Sequence, residues 1–150
     1  INKLILLTLF ITLTTSANES LLQLEVEFKK IKHLQGKLIV ELFDLSTSVT
    51  WQALPPVAHH SIPLVSTKQK HQFNGLSSGR YAIRVFQDLN NNQLLDKSSN
   101  GIPLEPVGFS QNPSLFKGEP TIEDCTIQLN KNSVVSITLR HRKPKRKRRG

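Results

Sequence analysis

Apolar side chains at every second position, in short runs separated by glycine, proline and asparagine, restrict this chain to β-sheet. Leu22, Leu24, Val26 and Phe28 fall on one face, with Gln23, Glu25, Glu27 and Lys29 on the other. This is the pattern of a sheet wetted on one side. Tyr81, Ile83 and Val85 alternate in the same way with Ala82 and Arg84, and Gly79 marks the turn that enters that strand. Cys125, Ile127 and Leu129, then Val135, Ile137 and Leu139, define two closing strands joined by a turn at Asn130-Lys131-Asn132. Lys37 to Phe43 is more continuously apolar and reads as a central strand, whereas Asp44 to His60, with Pro55-Pro56, reads as a loop. Short strands are expected at Ile62 to Ser66, confined to an edge by Pro63, and at Lys70 to Phe73. No helical period occurs. Seven short strands argue for an all-β fold, an antiparallel sandwich of the prealbumin, carboxypeptidase-regulatory or immunoglobulin-like kind.

After the strand from Arg80 to Gln87 the alternation stops, and Asp88, Asn90, Asn92 and Asp96 place oxygen side chains at relative positions 1, 3, 5 and 9. Calcium takes six to eight hard oxygen ligands, which a short loop supplies when alternate side chains and some carbonyls turn inward. Asp88, Asn90, Asn92, Asp96 and the carbonyl of Leu94 meet that need, and the spacing follows the first part of a calcium loop. Two positions depart from it. The sixth is Gln93 where glycine is the rule, and the twelfth is Ser99 where a bidentate glutamate is the rule. Glu105 is the next carboxylate downstream able to serve. The competing reading is an Asx-rich turn, because Asp and Asn bond their own backbone and tolerate left-handed conformations.

Tyr81-Ala82-Ile83, Phe86, Asp88, Asn90, Asn92, Leu95-Asp96, Gly101-Ile102-Pro103, Glu105 and Gly108-Phe109-Ser110 together resemble the signature of a secreted bacterial family, domain of unknown function 2141. The similarity runs on through Asn112-Pro113, Gly118-Glu119-Pro120 and the two closing strands, and is weaker before Phe73. It implies an exported β-sandwich of the prealbumin or carboxypeptidase-regulatory kind with no established activity. The chain departs from that family at Gln87, Gln93 and Cys125, where His, Gly and Ala are usual.

The ends of the chain differ from its middle. Residues 1 to 17 read as a secretory signal peptide, with Lys3, an apolar run from Leu4 to Leu13, and cleavage after Ala17. That run is too short for a membrane span. Export predicts a secreted or periplasmic protein, in which the lone Cys125 can form no internal disulfide, so stability rests on one core within residues 18 to 139. Residues 140 to 150 hold eight of the twenty basic residues, and without them the formal charge falls from +9 to +1. Such a run reads as a disordered arm that attaches to anionic envelope surfaces or polysaccharide through counterion release. It lacks aromatic residues for stacking bases, which disfavours nucleic acid.

No catalytic motif is read here: no His is placed by a recognisable motif, and Gly75-Leu76-Ser77-Ser78-Gly79, although it has Gly-x-Ser-x-Gly spacing, reads as a turn between strands and not as a strand-to-helix elbow. Cys125 is expected to be buried and inert. His59-His60 and His71 can meet near an edge, but adjacent strand residues face opposite ways, so His59 and His60 do not share a metal. The expectation is a non-enzymatic calcium-stabilised module with an adhesion, assembly or ligand-binding role in the envelope. The alternative is a carbohydrate- or phosphate-active accessory using Asp88, Asp96 and Glu105.

Overall fold

A computed structural model describes residues 20–46, 50–53 and 55–141. The expected leader, and the basic arm from Arg142 onward, lie outside those residues. Eight strands form in chain order: β1 (Leu22–Lys29), β2 (Lys37–Asp44), β3 (Ala58–Pro63), β4 (Lys70–Leu76), β5 (Gly79–Asp88), β6 (Val107–Phe109), β7 (Ile127–Leu129) and β8 (Ser133–Thr138).

They make two sheets. The smaller has the order β4-β1-β8, and the larger runs β3-β2-β5-β6 with β7 also on β5. The fold is all-β, as the alternation predicts, but it departs from the expected pattern in strand count and direction. The eighth strand is β6, three residues enclosed by prolines in a segment expected to be irregular. The second difference is that β1 and β8 run parallel, Leu24 pairing with Ser133 and Lys29 with Thr138. Parallel neighbours need a long crossover, and here the rest of the domain supplies it. β3 also begins earlier than expected, within the segment read as a loop. Its inward positions are Ala58, His60 and Ile62, a set too mixed to register as an apolar face.

The inner core lies between the sheets. Leu24, Val26 and Phe28 of β1 and Ile137 of β8 meet Leu38, Val40 and Leu42 of β2 and Ile83 and Val85 of β5, all at most 1% exposed. Each such side chain withdrawn from water contributes about 1.5–3 kcal/mol. A second cluster covers the outer face of the larger sheet, where Ile39, Phe43, Ala82 and Phe86 are roofed by Trp51, Phe109, Ile122 and Cys125. Burial on both faces explains the continuous apolar run of β2. Trp51 is fixed there by its Nε1–H, which donates to the carbonyl of Pro120 at 2.8 Å, and its ring meets Phe43 edge-on with centroids 5.1 Å apart.

β5 is the organising strand. One edge pairs with β2 from Tyr81 to Asp88, while the other takes β7 at Gly79–Tyr81 and β6 at Arg84–Phe86, end to end. Ser110, fully buried, bridges the junction. Its Oγ accepts the Ile83 N–H at 2.9 Å and donates to the carbonyl of Cys125, while its own N–H donates to the Ile83 carbonyl at 3.0 Å. Cys125 is buried as expected, but it ends a short 3-10 turn (Glu123–Cys125) in place of the first residues of the predicted strand. Arg140, placed by sequence in the arm, is paired with Val107 through both backbone bonds, at 2.7 and 3.1 Å. His141 Nε2 follows with a bond to the Lys30 carbonyl at 2.9 Å.

Candidate metal centre in the loop between β5 and β6

β5 ends in two fully buried polar residues, and these aim the loop. Gln87 donates from Nε2 to the carbonyls of His33 and Gln35 at 3.0 and 2.8 Å, tying the strand to the turn between β1 and β2. Gly36 in that turn passes so close to Asp88 that a β-carbon there would lie 1.8 Å from the Asp88 carbonyl oxygen. Its φ of +70° is also one that glycine alone adopts without strain.

Asp88 is wholly buried yet its carboxylate is paired. Oδ1 accepts the N–H of Asn92 at 3.2 Å and Oδ2 that of Gln93 at 2.8 Å. Asn90 Oδ1 also accepts the Asn92 N–H, at 3.1 Å, and Asn92 Oδ1 accepts the Leu94 N–H at 2.8 Å. Each oxygen on the odd-numbered positions therefore curls inward over the backbone amides ahead of it, the local chemistry expected of Asp and Asn. The chain turns so tightly that Asn91 and Gln93 take φ of 61° and 63°. Gln93 thus adopts the left-handed conformation for which glycine is the usual residue at this position.

Asp96 closes the group. Its carboxylate accepts Asn90 Nδ2 at 2.7 Å and Asn92 Nδ2 at 3.2 and 3.4 Å. The structure therefore brings Asp88, Asn90, Asn92 and Asp96 into one hydrogen-bonded cluster. Leu94 turns its side chain to solvent, 67% exposed. Glu105, 4% exposed, takes a different part: Oε1 accepts the Leu89 N–H at 2.8 Å and Oε2 the Asp96 N–H at 3.1 Å. It staples the two ends of the loop together.

This donor set suits one kind of cation. Among the described residues no group of three or more His, Cys, Asp and Glu side chains converges to hold a metal. A cation in this loop would instead meet two carboxylates and two amide side chains, all hard oxygen donors, the composition that calcium accepts and zinc or copper does not favour. Chemistry by paired carboxylates is disfavoured. A groove of about 420 Å³ lies beside the loop, walled by Leu95, Ile102, Val107, Phe109 and Phe116, and of the three carboxylates only Glu105 reaches it. Both oxygens of Glu105 already hold backbone amides.

Cys125 offers no nucleophile, since burial pushes its thiol up to about 12, with Asp124 and Glu119 adding to the effect. Sequence reasoning missed the roles of Gln87 and Ser110, both polar residues inside apolar strands or at their ends. Their burial was the available signal, since a polar residue in an inward register needs partners.

The model of a bacterial family, described as uncharacterized protein conserved in bacteria (DUF2141), matches residues 26–138. No curated protein and no solved structure matches the chain.

Proposed function

The chain belongs to the uncharacterised bacterial family DUF2141, and from the loop geometry within that family region we propose that it is an exported, non-enzymatic β-sandwich module holding one calcium ion between β5 and β6. One observation carries the reading: Asp88, Asn90, Asn92 and Asp96 converge in a loop whose sixth position, Gln93, keeps the left-handed turn of a calcium loop without its glycine. Asp88, Asn90, Asn92 and Asp96 are the side-chain ligands, and the Leu94 carbonyl is the backbone ligand. Glu105 serves as the clasp that sets the loop's span rather than as the distal ligand.

The finer fold assignment we propose is the prealbumin or carboxypeptidase-regulatory class. It rests on the sequence resemblance and is supported by the two packed sheets. A secreted or periplasmic location rests on the leader-like residues 1 to 17, and attachment to anionic envelope surfaces on the basic run that follows His141. Adhesion or assembly is the role such a module fills.

Thermal melting with calcium, magnesium or chelator, on the wild type and on Asp88→Ala, tests the proposal. A ligand that binds only the native state at a hundred times its dissociation constant adds about 2.7 kcal/mol. That gain corresponds to several degrees in melting temperature. Magnesium, with its small octahedral shell, is expected to give less, and Asp88→Ala to give none. An unchanged wild-type melting temperature in calcium would reduce the loop to an Asx-rich turn.

A further inference from the structure

The histidines of β3 and β4 meet at an edge of the sandwich. β3 is an edge of the larger sheet and β4 an edge of the smaller, and the chain crosses between the sheets from one to the other. In the ladders His60 pairs with Val40 and His71 with Val26, both valines fully buried in the inner core. The two half-buried rings therefore point into the space between the sheets. His60 Nδ1 and His71 Nε2 face each other at 2.5 Å, with ring centroids 4.7 Å apart and Phe73 packed against both. His59, its side chain on the other face of β3, lies instead 3.6 Å from Glu41.

A nitrogen-to-nitrogen approach of 2.5 Å is closer than the roughly 2.7–3.2 Å of ordinary N–H hydrogen bonds. Two imidazole nitrogens bound to one cation at about 2.0–2.1 Å lie roughly 2.9–3.4 Å apart. Small ring rotations at the edge strands span that difference. A second observation lies on the same inward face. Gln69, two residues before His71, has a buried Oε1 with no hydrogen-bond partner among the described residues. Buried polar atoms are seldom left so, and this orphan oxygen belongs to the inward face that also carries His71.

We propose that His60 and His71 form a second metal site, which clamps the two sheets together by holding a borderline divalent cation of the zinc or copper(II) class. Imidazole suits these cations and hard calcium does not compete for it. The site is independent of the calcium loop, since it shares no residue with it.

Titration calorimetry with zinc chloride, in excess calcium so that the loop is constant, tests the site on the full chain. Binding of one zinc per chain is expected. His60→Gln and His71→Gln should each weaken it at least tenfold, while His59→Gln leaves it unchanged. Should His71→Gln fail to fold, His60→Gln decides alone. Absence of zinc binding, wild-type affinity in His60→Gln, or loss of binding in His59→Gln would each overturn the proposal.

Discussion

Glu105 accepts the N–H of Leu89, the residue that follows Asp88, so the two buried carboxylates act on adjoining points of one loop. Asp88 holds the amides of Asn92 and Gln93, and Glu105 those of Leu89 and Asp96. Neither is spare. Leaving a buried donor without its acceptor costs about 1–3 kcal/mol. Glu105→Ala, which strands two, is expected to destabilise the domain by about 2–4 kcal/mol, and Glu105→Gln, which keeps one acceptor oxygen, by about half as much. Urea unfolding of the two variants measures this. Equal stability of Glu105→Ala and wild type would remove Glu105 from its role as clasp.

Gln93 carries a local cost. At φ 63° a residue with a β-carbon is strained by about 1–2 kcal/mol, while the greater backbone freedom of glycine costs about 0.5–1 kcal/mol on folding. Gln93→Gly should therefore raise stability by about 0.5–1 kcal/mol, measured by the same unfolding. A loss of stability would mean that the Gln93 side chain makes a contribution the loop geometry does not explain.

Gly36 admits no such exchange. Its φ of +70° and the 1.8 Å that would separate an added β-carbon from the Asp88 carbonyl oxygen both forbid a side chain. Gly36→Ala is expected to cost about 3 kcal/mol or more, and to disturb the calcium loop because the displaced atom belongs to Asp88. Circular dichroism melts report the first effect and calcium titration the second.

Acid weakens a surface cluster of the smaller sheet. Lys29 and Lys70 bond the Glu27 carboxylate at 2.6 and 2.8 Å and lower its pKa from 4.5 to about 2, and Lys70 is raised in return by Glu25 and Glu27. A folded-state value below the unfolded one means stability present above pH 4.5 and lost as pH falls through about 2. The melting-temperature gap between wild type and Glu27→Gln should accordingly close between those limits, and be smaller in high salt. A gap that is constant with pH would contradict the pairing.

The strands most legible in sequence are those that bury one face or both with apolar residues: β1, β2 and β5. Those that escaped notice had other reasons to exist. β3 turns His60 inward, β6 is three residues long between prolines, and the parallel pairing of β1 with β8 joins residues too distant in the chain for local pattern to connect. At the loop the spacing of Asp88, Asn90, Asn92 and Asp96 was readable because oxygen side chains at odd positions have a geometric consequence. The clasp formed by Glu105 was not, since its partners are backbone amides, which leave no mark on the residue types around them. The expected meeting of His60 and His71 near an edge does occur, and it joins the two sheets, a pairing that the sequence did not specify.

The central claim is that calcium enters the cluster of Asp88, Asn90, Asn92 and Asp96, and amide NMR during a calcium titration tests it at the residues themselves. The account predicts saturable shifts centred on the N–H groups of Leu89, Asn92, Gln93, Leu94 and Asp96, all of which donate to loop side chains, and their loss in Asp96→Asn. Unmoved loop amides at millimolar calcium, or shifts confined to residues elsewhere in the sandwich, would contradict it.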